Sequence, residues 1–257
     1  MIFKDNLYEG AKIVVTGGGS GIGKSIARQY LQLGAEVMIT GRKEEKLERA
    51  KADLAEYGPC RYQVCDIREM EEIEELVKVV KAEYGHLDIL INNAGGQFPT
   101  TAEDLNKKGW DAVIRNNLNG TWYMTHTFGT KFFIPRKAGI IINIIVNIYR
   151  GVPGMIHTGA ARAGIDNFTK TLAVEWSKYN IKVNAIAPGI IDSTGLEQYP
   201  EELKKGISDK VPARRLGTTD EVAQLCLFMT SPAADYITGE TIYIDGGWRL
   251  YGDIFDL

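Results

Sequence analysis

The sequence predicts an α/β fold: a doubly wound parallel sheet of about seven strands with helices on both faces, built as a single domain. Two observations carry that prediction. Short β-branched runs alternate with longer stretches of helical spacing along the whole chain, and a glycine-rich turn joins the first run to the first helical stretch. Parallel strands need crossover connections, and helices packed on either face supply them. The 257 residues, 44% hydrophobic and 25% charged, suffice for one large core.

Taken in order, Lys12 to Thr16, Glu36 to Thr40, Arg61 to Cys65, Ile89 to Asn92, Ile140 to Ile145, Lys182 to Ala187 and Thr241 to Ile244 read as strands. Between them, Gly21 to Gly34, Glu44 to Tyr57, Glu69 to Tyr84, Leu118 to Phe133, Thr158 to Tyr179 and Thr219 to Thr230 carry helical spacing. The longest apolar stretch, Ile140 to Ile148, is β-branched and interrupted by Asn143 and Asn147, which suits a buried strand and its exit loop. Residues 193–212 are polar and lack a core stripe, so they predict an inserted helical segment with the character of a lid.

The formal charge of −3 comes from interleaved cations and anions, which leaves no footprint for nucleic acid or an anionic membrane surface. No run of about 18 apolar residues occurs, and Met1 to Gly10 lacks the build of a signal peptide, so a cytoplasmic protein is expected. Cys60, Cys65 and Cys226 form neither an even disulfide framework nor a Cys-x-x-Cys pair and read as reduced and buried. His86 and His126 have no partner pattern, and no metal-ligand cluster is evident.

After the first strand comes Thr16-Gly17-Gly18-Gly19-Ser20-Gly21-Ile22-Gly23, leading into a helix. Glycines at this spacing let the backbone turn tightly, approach a pyrophosphate and aim helix N-terminal N–H groups at it. Gly17, Ser20, Gly21, Ile22 and Gly23 are therefore expected to hold a dinucleotide, and the fold to be of the Rossmann type. An NAD site would place a carboxylate at the end of the second strand. The chain instead reads Thr40-Gly41-Arg42-Lys43, two cations that suit a 2′-phosphate and point to NADP(H), unless they merely begin a solvated helix. Asp66 and Ile67 end the third strand beside the expected adenine; Asp66 could accept from the adenine amino group or cap the next helix.

This loop, together with Asn92-Asn93-Ala94-Gly95 after the fourth strand, Pro188-Gly189 after the sixth and Asp245-Gly246-Gly247 near the end, resembles the short-chain dehydrogenases/reductases along essentially the whole chain. The resemblance implies that Asn93, Ala94 and Gly95 lie beside the cofactor and that Ile191 and Ser193, after Pro188-Gly189, hold the nicotinamide carboxamide. It also implies a homotetramer or dimer. The usual active-site signature is absent: Ile144-Ile145-Val146 stands where the family has a serine, and Thr158 and Arg162 stand where it has Tyr-x-x-x-Lys. A threonine hydroxyl cannot replace a phenol as proton donor, and arginine does not give up protons near neutrality, although Arg162 can still bond the nicotinamide ribose.

Asn143 to Val146, His157 to Gly164, Gly95-Gly96-Gln97-Phe98 and Leu172 to Trp176 resemble most closely the subgroup of peroxisomal trans-2-enoyl-CoA and 2,4-dienoyl-CoA reductases. That subgroup reduces a carbon-carbon double bond conjugated to a thioester, where hydrogen-bond donors suffice to stabilise the enolate. By the resemblance, Asn119 of Leu118-Asn119-Gly120 and Tyr149 bind the thioester and supply the proton, while Asn117 matches an asparagine that orders a water. Tyr149 stands two residues closer to Thr158 than the pattern does and could be an ordinary rim residue. Asn119 and Thr158 could be helix caps, His157 a packing residue, and Gln97 and Phe98 either channel or loop residues. The sequence thus predicts an NADPH-dependent reductase of enoyl-CoA or dienoyl-CoA thioesters. The alternatives are a carbonyl reductase with a relocated acid or a non-catalytic NADP(H)-binding protein.

Overall fold

Burial on both faces of an inner strand organises the molecule. In the computed structural model, which describes residues 3–196 and 206–250, Ile13 and Val15 face one layer of helices and Val14 faces the other, all without solvent exposure. Successive side chains of a strand point to opposite faces, so a strand apolar at every position must be covered on both.

The order is β1 (Lys12–Thr16), α1 (Gly21–Gln32), β2 (Glu36–Gly41), α2 (Glu44–Leu54), β3 (Cys60–Val64), α3 (Met70–Tyr84) and β4 (Ile89–Asn92). Next come α4 (Lys107–Val113), α5 (Gly120–Phe128) and α6 (Ile134–Arg136), joined into one rod by π-helical turns at Ile114–Asn119 and Gly129–Phe133. The chain closes with β5 (Gly139–Ile144), α7 (Ile156–Glu175), β6 (Ile181–Pro188), the two-residue strands β7 (Ile191–Asp192) and β8 (Gly217–Thr218), α8 (Thr219–Thr230) and β9 (Thr241–Ile244). Seven strands form one parallel sheet, as the sequence predicts, and their order is β3-β2-β1-β4-β5-β6-β9. The order reverses between β1 and β4, which opens a crevice at the carboxyl ends of the strands.

One core joins α1, α2 and α8 to the sheet through Ile26, Tyr30, Leu47, Val222 and Leu227, and the opposite core joins α3, α5 and α7 through Leu76, Phe128 and Leu172. A buried polar chain crosses the second layer: Asn92 Nδ2 donates to Thr125 Oγ1 (2.8 Å) and Asn143 Oδ1 (2.9 Å), and Asn143 Nδ2 donates to Thr169 Oγ1 (2.9 Å). It fixes α5 and α7 to neighbouring strands. Cys60, Cys65 and Cys226 are free and buried, and burial pushes the Cys60 thiol up to about 11.

The helix expected from Leu118 starts at Lys107, where Asn106 Oδ1 accepts the Gly109 N–H at 2.9 Å. The first turns hide from a periodicity reading because only Val113 and Asn117 between Lys107 and Asn119 are buried. Of the expected lid, residues 197–205 lie outside the described residues; Ser208–Lys210 form a single 3₁₀ turn. No helix among the described residues is long and apolar enough to cross a membrane.

Candidate active site

The glycine loop and the exit of β4 are locked together by Thr16 and Asn93. Thr16 Oγ1 accepts the N–H groups of Asn93 and Ala94, both at 2.9 Å. Asn93 Nδ2 donates to the carbonyls of Thr16 (3.0 Å) and Gly17 (3.3 Å). A Cβ on Gly23 would stand 2.5 Å from both Gly17 O and Asn93 Nδ2, and one on Gly18 would stand 2.6 Å from the Ile39 side chain. Only hydrogen fits at either position.

Ser20 caps α1 without a side-chain bond, and the first turn carries no acidic residue, so its N–H groups and positive dipole end are open to an anion. Ile22 turns inward onto the core. Ser193 and Thr194 close over this turn, since a Cβ on Gly21 would stand 3.8 Å from Ser193 Cβ and 3.2 Å from Thr194 Oγ1. Thr16 and Thr194 were not predicted; the first is signalled by its place directly before the glycines, the second only by folding.

Arg42 and Lys43 are exposed at the end of β2 and form no ion pair among the described residues. Asp66 is held by Arg68, whose Nε lies 2.9 and 3.0 Å from its two oxygens; this pairing keeps the carboxyl below its ordinary range, with a smaller push from Arg42. It does not cap α3, whose N-cap is Glu69. Ile67 is buried against the start of α5, where a Cβ on Gly120 would come within 2.7 Å of it. Gly189, following Pro188, passes so close to the last strand that a Cβ would stand 2.7 Å from Asp245 Cα. Ile191 is buried against Gly217 beside a cavity bounded also by Val211, Arg215 and Asp245.

Asn117 lies in the first π-turn with no solvent exposure. Its Oδ1 accepts the Gly96 N–H (2.9 Å) and its Nδ2 donates to the Gly96 carbonyl (3.0 Å), so this amide clamps the loop after β4. Arg162 on α7 reaches the same place: a Cβ on Gly95 would collide with its Nη2, and its Nη1 donates to the Ile144 carbonyl at 3.2 Å. Burial pulls Arg162 down to about 10, still cationic at neutral pH, yet no carboxylate meets it among the described residues and its Nε has no partner. A buried guanidinium with one unpartnered nitrogen and no carboxylate near it among the described residues, beside a glycine cradle, fits a ligand rich in acceptors, as the hydroxyls and phosphates of a dinucleotide are.

Thr158 is fully buried one turn before Arg162. Its N–H donates to His157 Nδ1 at 2.7 Å and its Oγ1 lies 3.2 Å from the same nitrogen. Because the N-cap of α7 is Met155, Thr158 is not a cap. His157 is also fully buried, its Nε2 has no partner, and its ring edge packs on Phe98 with centroids 4.7 Å apart. Burial lowers its pKa and favours the neutral imidazole. Asn119 ends the first π-turn inside the continuous rod, which removes the capping reading; its amide is half-buried and makes no hydrogen bond among the described residues. Tyr149 is 61% exposed, its ring set edge-on to Tyr243 at 6.2 Å, and it makes no side-chain hydrogen bond to Thr158, Arg162 or Asn119.

A family model described as Enoyl-(Acyl carrier protein) reductase matches residues 17–249. A Bacillus subtilis protein named as a probable 2,4-dienoyl-CoA reductase is 40% identical over 244 residues, 93% of this chain and 96% of that protein. The 3-oxoacyl-[acyl-carrier-protein] reductase FabG of Thermotoga maritima is 36% identical over 93% of this chain and 98% of its own. The solved structure of the citronellol catabolism dehydrogenase AtuB of Pseudomonas aeruginosa superposes with a TM-score of 0.87 at 40% identity, covering 96% of this chain and 98% of that one. With one model matching nearly the whole length, and relatives this similar from end to end, the chain belongs to the short-chain dehydrogenase/reductase family of oxidoreductases, which use nicotinamide cofactors.

Proposed function

We propose that this protein is an NADPH-dependent reductase of enoyl-CoA or dienoyl-CoA thioesters. The observation that carries the reading is the pair Thr158 and Arg162, buried one turn apart where ketone reduction needs a phenol and a proton-relaying amine. Neither residue yields a proton near neutral pH. Reduction of a conjugated double bond makes a different demand: once hydride reaches the β or δ carbon, the thioester oxygen carries the charge, and fixed donors stabilise it. The Bacillus subtilis relative's name supports the same chemistry.

In this reading the nicotinamide, when bound, supplies the hydride. Gly17, Ser20, Gly21, Ile22 and Gly23 cradle the pyrophosphate, and Arg42 and Lys43 pair with the 2′-phosphate. Asp66 and Ile67 flank the adenine. Asn93, Ala94 and Gly95 line the floor, Arg162 bonds the nicotinamide ribose, and Pro188, Gly189, Ile191 and Ser193 hold the carboxamide side. Asn119, whose amide has no partner among the described residues, donates to the thioester oxygen, Thr158 adds its hydroxyl, and Tyr149 delivers the proton. Asn117 keeps the floor in place, and residues 193–212 act as the lid. The working form is a dimer or homotetramer, to be checked by light scattering at assay concentration.

The test follows NADPH oxidation at 340 nm with trans-2-enoyl-CoA, 2,4-dienoyl-CoA and 3-oxoacyl-CoA of matched length. Turnover confined to the unsaturated thioesters supports the proposal. Turnover of the 3-oxo substrate alone would replace it with carbonyl reduction, and tight NADPH binding without any turnover with a binding protein.

A further inference from the structure

Residues 147–150 leave β5 and dock on the chain that leaves β9. Asn147 is the hinge of this contact: its Oδ1 accepts the Tyr149 N–H at 3.1 Å, and its Nδ2 donates to Asp245 Oδ2 at 2.9 Å. With acceptor and donor both engaged, the amide has one orientation, and the Tyr149 backbone is tied through it to Asp245. The Asp245 side chain is only 2% exposed. Its Oδ1 also accepts the Gly247 N–H (3.0 Å) and Arg249 Nη1 (3.3 Å), and its Oδ2 the Arg249 N–H (2.8 Å). Four donors from three residues hold one carboxylate, so the anchor itself is rigid.

Two further contacts run the same way. Arg150 Nη2 donates to the Trp248 carbonyl at 2.9 Å, and Tyr149 meets Tyr243, over which the Arg249 guanidinium sits at 4.8 Å. An exposed phenol at a rim has wide rotational freedom unless its backbone is fixed, and a proton donor about 1 Å out of place can cost about 100-fold in rate.

We infer that Asp245, acting through the Asn147 side chain, is a positioning residue that fixes the backbone of Tyr149 and so sets the reach of its phenol to the substrate. The inference rests on Tyr149 being the proton donor. Asp245 and Asn147 touch neither substrate nor cofactor in this role. It gives the Asp245-Gly246-Gly247 turn a task in the chemistry, where folding alone would ask only that it end the last strand.

The experiment is a double-mutant cycle in the full chain with Asn147→Ala and Tyr149→Phe, read as turnover of NADPH with 2,4-decadienoyl-CoA, NADPH affinity by fluorescence and thermal unfolding. Asn147→Ala is expected to lower kcat about 10- to 100-fold with NADPH Kd unchanged, and to lower nothing further on the Tyr149→Phe background. Asp245→Asn, which keeps the size but loses the charge, should show a smaller loss that also vanishes on that background, and serves if Asn147→Ala fails to fold. A loss of equal size with and without the phenol would overturn the inference, as would an unimpaired Asn147→Ala beside an impaired Tyr149→Phe. Wild-type turnover in Tyr149→Phe, or none in the parent protein, would overturn the underlying reading and this inference with it.

Discussion

Arg162 is a cation kept dry with no counter-ion among the described residues, and its cost and use can be measured separately. Its folded pKa is depressed by burial, so below about 10 the charged form weakens the ligand-free protein. Arg162→Met, which fills similar space without charge, should stabilise the ligand-free protein by about 1–3 kcal/mol, seen as a rise of a few degrees in Tm, while weakening NADPH binding about 10- to 100-fold. A fall in Tm would show that the guanidinium is satisfied without ligand. At the end of β2, Arg42→Asp should raise the Kd for NADPH about 100-fold and lower that for NADH, a reversal that titration of each nucleotide checks. Gly23→Ala, whose methyl would lie 2.5 Å from a carbonyl oxygen, should cost about 1–3 kcal/mol of stability and abolish tight nucleotide binding. These positions were legible in the sequence because glycine and unpaired arginine carry their reason locally. Asn147 and Asp245 were not, since 98 residues separate the partners and nothing near either names the other.

At the scale of elements, the π-turn Ile114–Asn119 is where the long helical rod meets the loop after β4. Asn117 in it bonds both the N–H and the carbonyl of Gly96, and Asn119 at its end makes no side-chain hydrogen bond among the described residues, so one helical rod clamps the loop after β4 and, in the proposed function, also offers a donor. Asn117→Ala removes two buried bonds to one residue and should destabilise by about 1–3 kcal/mol, measured by urea unfolding, with turnover falling alongside. Asn119→Ala removes no such bond and should leave the unfolding midpoint alone while lowering kcat. The sequence reveals the second half of this rod, where apolar residues recur, and hides the first, whose outer face carries Lys107, Lys108, Asp111 and Arg115. Periodicity senses burial, and a helix lying half in solvent gives it little to sense. The inner strands β1, β2, β4, β5 and β6, largely buried on both faces, were legible almost to the residue for the converse reason.

For the whole molecule, resistance to acid is set by carboxylates bonded in the folded state. Glu221 pairs with Arg215 and closes a capping box with Thr218 at the start of α8, which lowers it from 4.5 to about 2. A depressed carboxyl contributes stability above its unfolded pKa and loses it as pH falls through the folded one, so this share fades between about pH 4.5 and 2. Glu221→Gln should flatten the urea midpoint across that window and leave its slope above pH 6 unchanged. The order of the sheet carries a further consequence, for the making of the protein. β1, β2 and β3 are adjacent in chain and in space, and the glycine loop with its Asn93 clamp is complete once residue 94 exists, whereas β9 pairs with β6 only after residues 241–244 have been added. The glycine loop and its Asn93 clamp are therefore made well before the turn that carries Asp245, so the loop of residues 147–150 gains its anchor only after that clamp can already form.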